Sequence, residues 1–147
     1  MISNKWLFSV LLSVGFLYAS DTVSLSKLEG SWLLRTMDGY KVSQARAILD
    51  FNAKHNKIDG FDGCNRISGK LKLHQNKRYF SKLSIQEYEC RGNLQRYVSK
   101  RLHQTMEEGF TIQRAKRKKE KGILIKSTHH TLFFKKMGRP FSKTIIP

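Results

Sequence analysis

The sequence contains few cysteines and few acidic residues. Cys64 and Cys90 are its only two cysteines, and they do not form the Cys-x-x-Cys motif of thiol–disulfide oxidoreductases. Eleven Asp and Glu residues stand against 28 Lys and Arg residues, which gives a formal net charge of +17. A charge of this size attracts anionic partners such as nucleic acid, acidic lipid or acidic glycan, but it does not specify which of them binds.

Other absences concern metal and phosphate sites. The glycine-rich stretch around residue 60 is not followed by the Gly-Lys-Ser or Gly-Lys-Thr ending of a phosphate-binding loop. His129 and His130 are adjacent, so in a strand they would point to opposite faces, and no further His or Cys lies at ligand spacing. Asp59 and Asp62 lack the alternating oxygen ligands of a calcium loop. We therefore expect no metal and no other cofactor.

The one long apolar run lies at the N-terminus. After Lys5, the segment Trp6–Tyr18 is uncharged and mostly apolar, but it is too short for an ordinary membrane-spanning helix. This layout predicts a signal peptide over residues 1–20, cleaved after Ala19 or Ser20, and hence a periplasmic or secreted protein. No cysteine lies nearby, so a bacterial lipoprotein anchor is not expected. An uncleaved short anchor or a buried core helix is the alternative interpretation.

The remaining chain is typical of one β-rich domain, residues 30–136, followed by a tail, residues 137–147. Period-two alternation indicates short strands with one buried face. Leu71 and Leu73 are expected to point inward, and Leu83 and Ile85 continue the pattern. Strands are predicted at Gly30–Met37, Ala47–Phe51, Lys70–His74, Leu83–Ile85, Phe110–Gln113, Ile123–Lys126 and Thr131–Lys135.

A single segment has helical spacing. From Asn93, a candidate N-cap, to Gly109, the apolar residues recur every three or four positions. These residues are Leu94, Tyr97, Val98, Leu102 and Met106. We therefore predict an α+β fold that is mainly β. It would be an antiparallel curled sheet or partly open barrel of about seven short strands, with the helix covering the open face or plugging one end.

The glycine-rich stretch Asp59–Gly69 reads DGFDGCNRISG and follows a predicted turn at Asn56–Gly60. Three glycines and an Asn in eleven residues favour tight turns, with positive φ expected at Gly60, Gly63 and Gly69. Cys64 lies in the middle of this stretch, with Asn65 beside it. We assign a structural turn to Gly60, Gly63, Asn65 and Gly69.

The order of these features resembles the META domain family, which includes the HslJ-type heat-shock proteins of bacterial envelopes. The resemblance covers roughly Gly30–Lys135. The residues that carry it are Gly30-Ser31-Trp32, Phe51, Gly60-x-x-Gly63-Cys64-Asn65, Gly69 and Cys90 ahead of the helix. The resemblance implies a compact β-rich domain with a helix, frequent export and an association with stress. It supplies no catalytic residues.

The two cysteines admit three interpretations. In an oxidising compartment, two cysteines on a small domain most simply form one disulfide, here tying the glycine-rich turn to the start of the helix. Two buried free thiols, or a redox-active pair, are the alternatives. A Cys/His nucleophilic enzyme would need His103 or His74 beside a cysteine, and nothing in the spacing supports this.

The most basic part of the chain is a predicted loop at Arg114–Gly122. With two lysines of the Lys70–His74 strand it would form a surface for anionic lipid, lipopolysaccharide phosphates or an acidic protein. Its members are Arg114, Lys116, Arg117, Lys118, Lys119, Lys121, Lys70 and Lys72. Nucleic acid fits the charge but not the expected compartment, and the strands lack a paired aromatic stacking platform. A solvated loop that serves only solubility is the alternative.

These features favour an exported, non-enzymatic protein that serves envelope maintenance or stress tolerance by binding an anionic surface or an acidic partner. A second hypothesis is an inhibitor or accessory protein of a secreted hydrolase. A third is a thiol-dependent enzyme, which would require an accessible, activated cysteine. The sequence leaves the oligomeric state undetermined.

Overall fold

The structure, a computed structural model, describes residues 23–138. The predicted signal peptide and residues 139–147 of the predicted tail lie outside this part of the chain. The strands are β1 Gly30–Met37, β2 Tyr40–Lys41, β3 Ile48–Asn52, β4 Lys57–Phe61, β5 Arg66–Lys70, β6 Lys72–Leu73, β7 Tyr79–Phe80, β8 Ser84–Gln86, β9 Thr111–Arg117, β10 Glu120–Lys126 and β11 Thr131–Lys136. The helices are α1 Asn93–Glu108 and three short 3₁₀ helices, Leu25–Leu28, Ser43–Ala45 and Ala53–His55. Among these described helices, none has both the length and the apolar character needed to cross a membrane.

Nine strands form one antiparallel sheet in the order β8-β5-β4-β3-β1-β11-β10-β9, with β2 attached to β1. Within residues 23–138 the two other strands, β6 and β7, form a separate antiparallel ribbon. The prediction of a mainly β fold with a helix is confirmed. The prediction of about seven strands, curled or closing into a barrel, is wrong, because the sheet is larger and does not close. Strands of two or three residues are too short to produce a recognisable alternation.

The helix α1 packs its apolar stripe into the core. Val98, Leu102 and Met106 are fully buried, as their helical spacing predicted. Gly109 follows the last helical residue with φ +90°, which a glycine adopts without strain. The N-cap prediction is wrong by one residue, since Gly92 precedes the helix and Asn93 begins it.

The core extends beyond the predicted domain start. Leu28 of the first 3₁₀ helix is fully buried and Val23 is nearly so, and both belong to the same apolar cluster as Leu34 and Phe51. The indole Nε1–H of Trp32 donates to the carbonyl oxygen of Leu28 at 2.8 Å, which fixes the 3₁₀ helix against β1. The segment before Gly30 is therefore part of the folded unit.

Two residues predicted to face the core are exposed. Leu73 has 60% of its surface exposed and Ile85 48%, whereas Leu71 and Leu83 are buried as predicted. Leu73 lies in the separate β6–β7 ribbon, and Ile85 lies in β8 at the end of the strand order. Alternation identifies the two faces of a strand, but it does not show whether other elements cover the inner face. An edge strand can lie beyond the side chains that would bury that face.

Two of the three glycine φ predictions are wrong. Of Gly60, Gly63 and Gly69, only Gly63 has positive φ, at +100°. Gly60 lies within β4, so the predicted turn at Asn56–Gly60 is mostly strand. A Cβ at Gly60 would lie 2.0 Å from the Ile48 carbonyl oxygen, and one at Gly69 would lie 2.5 Å from Ser81 Oγ. Glycine is needed at these two positions because neighbouring atoms lie too close for a Cβ, and not because the chain turns there.

Candidate functional site

The turn after β4 is organised around one buried carboxylate. Asp62 is fully buried, and its Oδ1 accepts from the backbone N–H groups of Cys64 at 2.7 Å and Asn65 at 2.6 Å. Its Oδ2 accepts from Ser99 Oγ at 2.8 Å and lies 2.7 Å from His103 Nε2. Ser99 and His103 are one turn apart on α1, so a single side chain joins the glycine-rich turn to the helix.

The surroundings of Asp62 favour its ionised form. Burial by itself would raise the pKa of this carboxyl, but hydrogen bonds from His103, the Asn65 and Cys64 amides and Ser99 together hold the pKa below its usual value. From the sequence, Asp62 was placed in the glycine-rich stretch Asp59–Gly69 and excluded from a calcium loop. Its contact with α1 was missed, because nothing in the local spacing connects residue 62 to residues 99 and 103.

The same turn is joined covalently to the segment before α1. Cys64 and Cys90 form a disulfide across 26 residues, and the described residues contain no free cysteine. This agrees with the disulfide interpretation and not with two free thiols. Among the described residues neither candidate base has a cysteine thiol to activate, since both cysteines are in this disulfide. His103 bonds to Asp62, and the His74 ring stacks on Phe80 at 4.1 Å between centroids.

The adjacent histidines each bind a carboxylate. His129 and His130 lie in the turn between β10 and β11 rather than in a strand. His129 Nδ1 lies 2.6 Å from Glu108, and His130 Nδ1 lies 2.7 Å from Asp38. Although burial opposes it, hydrogen bonds from Ser127 and His129 lower the pKa of Glu108 to about 2. Within residues 23–138, no three His, Cys, Asp or Glu side chains cluster as metal ligands would.

The predicted basic loop Arg114–Gly122 is instead a hairpin of two long strands. β9 and β10 pair from Thr111↔Lys126 to Arg117↔Glu120, which leaves only Lys118 and Lys119 in the connection. Both lysines have positive φ, 44° and 70°. A two-residue connection with positive φ at both positions matches a type I′ turn, which normally favours Asn-Gly. Most of the basic residues therefore lie on paired strands rather than in a loop.

One face of this hairpin changes from apolar to basic along its length. At its base Ile112 faces Ile125, and both are buried in the core. One pair further out is Arg114↔Ile123, and the next on the same face is Lys116↔Lys121. Period-two alternation places these three pairs on one face. The hairpin thus extends the inner face of the sheet past the core and covers that extension with cationic side chains.

A cavity of about 590 Å³ opens where this face leaves the core. Five cationic residues line it, and we call it the basic cleft: Lys27, Arg114, Lys116, Lys121 and Lys136. Its apolar floor includes Leu28, Trp32 and Ile123. The cleft brings together the first 3₁₀ helix, β1, β11 and the hairpin, because β1, β11, β10 and β9 are neighbours in the sheet.

The Trp32 ring lies beside a lysine in this cleft. Lys136 Nζ lies 5.3 Å from the centroid of the indole ring, within cation–π range, and donates to the Glu29 carbonyl oxygen at 2.8 Å. Trp32 Nε1–H is already bonded to Leu28, so the ring presents an apolar surface. The cleft therefore combines a cationic rim with an aromatic floor.

The predicted surface residues fall into three groups. Arg114, Lys116 and Lys121 line the basic cleft, whereas Arg117, Lys118 and Lys119 form the hairpin tip. Lys70 ends β5 and Lys72 lies in β6, and neither lines the cleft. In the main sheet, four strands separate β5 from the hairpin.

One carboxylate lies on the hairpin, and it is already paired. Glu120 Oε1 accepts from Lys135 Nζ at 3.2 Å and lies 3.3 Å from Arg35 Nη2. The hydrogen bond from Lys135 and the charge of Arg35 hold the pKa of Glu120 below its usual value. Within residues 23–138, none of the five cleft cations forms an ion pair with a carboxylate.

The tip turn should be stabilised by residues that suit its backbone. Replacing Lys118→Asn together with Lys119→Gly should raise the free energy of unfolding by about 1 kcal/mol. Lysine is strained at positive φ, whereas Asn and Gly adopt this conformation more readily. Urea unfolding would measure the change. Lys118→Gln with Lys119→Gln is the control, because it removes the charges but keeps the strained backbone. Equal stability of the two variants would contradict the turn assignment.

Three residues of the cleft were not predicted: Lys27, Trp32 as a binding surface, and Lys136. The hairpin turn left no recognisable sequence signal, because Lys118 and Lys119 stand where the Asn-Gly pair typical of such a turn would be expected. Recognising that turn would have placed Arg114, Lys116 and Lys121 on one face. No local signal connects Lys27 or Lys136 to this face, because their proximity depends on the order of strands in the sheet.

Comparison with known proteins identifies the fold. The META domain family model matches residues 24–138. An NMR structure of a protein from Burkholderia xenovorans superposes with a TM-score of 0.59 at 18% sequence identity, covering 79% of this chain and 88% of that chain. At this identity the likeness concerns the fold alone. No curated protein matches this sequence.

Proposed function

The chain belongs to the META domain family, and we propose that it is an exported, non-enzymatic protein that binds the anionic lipid surface of the cell envelope through its β9–β10 hairpin. Envelope maintenance or stress tolerance would be served by this binding. The hairpin tip, Arg117–Lys119, would make the first contact with the membrane.

The observation that carries this proposal is that several basic residues of the hairpin lower its local stability. Lys118 and Lys119 occupy turn positions with positive φ, where Asn-Gly would be more stable. Lys116 and Lys121 are direct cross-strand partners, and like charges at such positions repel each other. Residues that oppose local stability commonly serve binding. Here each unfavourable choice adds a cation to the same exposed ribbon.

Two features support export. The N-terminal layout predicts a signal peptide over residues 1–20. The disulfide Cys64–Cys90 suits an oxidising compartment, where such bonds persist. Nucleic acid fits the charge of the hairpin but not such a compartment. A lipid surface also suits exposed lysines, which attract anionic headgroups without a fixed geometry.

The lipid hypothesis predicts strong dependence on the hairpin tip. Replacing Lys118→Gln with Lys119→Gln should weaken binding to anionic vesicles about 30-fold, because each lysine near an anionic surface contributes about 1 kcal/mol. Co-sedimentation with phosphatidylglycerol vesicles, against phosphatidylcholine vesicles, measures the effect. Raising the salt from about 0.1 M to about 1 M should release the protein, because the screening length falls to a few ångströms.

Lys54→Gln with Lys100→Gln is the matched control. Both lysines are exposed and lie outside the hairpin, so this variant loses the same charge and should bind more tightly than the tip variant. Equal losses in the two variants would reduce the effect to net charge and refute a hairpin site. Failure of the unaltered protein to bind at low salt would refute the lipid surface and leave an acidic protein as the partner to seek.

A further inference from the structure

The basic cleft differs from the hairpin tip in being concave and partly apolar. Its volume of about 590 Å³ lies within the ordinary range of small-molecule sites. The tip lysines do not line it, so the two surfaces can be altered independently. A flat membrane surface explains cations at the tip, but it does not explain why others surround a cavity with a tryptophan in its floor.

The cationic side chains at the rim of the cleft can bind only a hydrogen-bond acceptor. Lysine and arginine side chains carry hydrogen-bond donors and no acceptors, and no acidic side chain lines the cavity. Five cations surround the space, and within residues 23–138 none of them is paired with a carboxylate. Concentrating so many like charges is unfavourable in the empty cavity. A multiply charged anion would relieve this repulsion more fully than a single carboxylate.

Arg114 gives the rim a directional donor. Its planar guanidinium can donate two parallel hydrogen bonds to a phosphate, while lysine acts as a point charge. Arg114 is the cross-strand partner of the floor residue Ile123, and the Lys116↔Lys121 pair is the next along the same face. The guanidinium and two ammonium groups therefore approach one region of the cleft from two strands.

The floor fits an apolar group. Leu28 is fully buried, Ile123 nearly so, and Trp32 has only 7% of its surface exposed. The Trp32 indole N–H donates to the Leu28 carbonyl oxygen, so the small part of this ring that stays accessible offers an apolar contact without a free donor. A ring or alkyl chain placed there would be removed from water, which favours binding in proportion to the apolar surface buried.

We propose that the basic cleft binds a phosphate monoester carried on an aromatic or alkyl group. The phosphate lies against Arg114 and Lys121, and the apolar part lies on Trp32. This inference rests on the proposed function, since both assign anion binding to the hairpin and both draw on the Lys116 and Lys121 pair, but it adds Arg114 and Trp32 and does not involve the tip residues Lys118 and Lys119. Either a lipid headgroup or a soluble phosphate ester supplies this chemistry.

Tryptophan fluorescence provides a direct binding assay. The sequence contains two tryptophans, so a full-length Trp6→Phe protein reports from Trp32 alone. Titration with phenyl phosphate should give a saturable change. Inorganic phosphate lacks the ring, benzyl alcohol lacks the charge, and benzoate carries a single charge. Each should bind at least about tenfold more weakly, the ratio that corresponds to about 1.4 kcal/mol.

Two double variants test where phenyl phosphate binds. Arg114→Gln with Lys121→Gln should weaken phenyl phosphate binding by about tenfold or more, because two charge-assisted hydrogen bonds are lost. Lys118→Gln with Lys119→Gln removes the same charge from the tip and should leave the affinity within about twofold. Unfolding midpoints of both variants show whether they remain folded. Equal weakening by both variants, or no saturable signal with phenyl phosphate, overturns the inference.

Vesicles distinguish the two sources of phosphate. If a lipid headgroup occupies the cleft, phosphatidic acid vesicles should displace phenyl phosphate more effectively than phosphatidylglycerol vesicles, and Arg114→Gln with Lys121→Gln should abolish this preference. If a soluble ester is the occupant, neither vesicle displaces it. Loss of vesicle binding in the tip variant with intact phenyl phosphate binding separates the two sites. Vesicle binding without phenyl phosphate binding supports the proposed function and refutes the cleft.

Discussion

Replacing Asp62→Ala should lower the free energy of unfolding by about 3–5 kcal/mol, because a fully buried acceptor shared by four residues is removed. The amides of Cys64 and Asn65 and the hydroxyl of Ser99 would be left buried without this partner. Urea unfolding followed by circular dichroism measures the loss. A smaller effect on α1 than on the rest of the protein would contradict the role of Asp62 in joining the turn to the helix.

Asp59→Ala is the matched control for this substitution. Asp59 lies three residues away, is partly exposed and pairs with Lys57 at 3.1 Å. Exposed ion pairs contribute about 0–1 kcal/mol, so this variant should be nearly as stable as the unaltered protein. A loss as large as that of Asp62→Ala would show that the region is sensitive to any lost carboxylate.

The charge of Asp62 should also be visible in the pH dependence of stability. The folded-state pKa of Asp62 is depressed, so its contribution is fully present above the unfolded pKa near 3.9 and is lost as the pH falls through the folded pKa. Asp62→Asn, which does not titrate, should therefore lose less stability below about pH 4 than the unaltered protein. Parallel stability curves for the two proteins would contradict this assignment.

Removing the disulfide should produce the second large effect. Cys64→Ala with Cys90→Ala should lower the free energy of unfolding by about 3 kcal/mol, because the bond closes a loop of 26 residues in the unfolded chain. Alanine avoids leaving a polar group at position 64, which is nearly fully buried. Denaturant unfolding of both proteins under oxidising conditions measures the difference.

A reductant distinguishes the effect of losing the disulfide from the effect of losing the packing of the two cysteine side chains. Reducing the unaltered protein should lower its unfolding midpoint to near that of the double alanine variant, which should not respond to reductant. Alkylation of both cysteines should require reduction first. If the unaltered protein is insensitive to reductant, the disulfide does not contribute to stability, and buried thiols would explain the two cysteines.

Asp62 and the disulfide act on the same turn. The turn between β4 and β5 is held to α1 by Asp62 and to the segment before α1 by Cys64–Cys90. Gly63, with φ +100°, lets the turn approach the helix, since a Cβ there would lie 3.3 Å from the Gln95 carbonyl oxygen. The losses of stability caused by the two variants should therefore not add when they are combined, because both loosen the same turn.

The local features of this protein can be predicted from its sequence. Helical spacing from Leu94 to Met106 identified α1, and alternation identified β1, β10 and β11 within a few residues. The order of its glycines and cysteines pointed to the META domain. The basic segment was located correctly at Arg114–Lys121, although it was assigned to a loop. Local dihedral preferences and periodicity depend on neighbouring residues, which is why the sequence contains this information.

Contacts between residues that are distant in the sequence depend on the tertiary fold. Ile85 has the alternation of a core residue, but its strand lies at the sheet edge and is left uncovered. Gly60 suggested a turn, but it lies in a strand, and glycine is required there because the Ile48 carbonyl oxygen leaves no space for a Cβ. Lys27 and Lys136 reach one cleft from opposite ends of the described chain. Strand order and long-range packing set these outcomes, and neither leaves a periodic signal in the sequence.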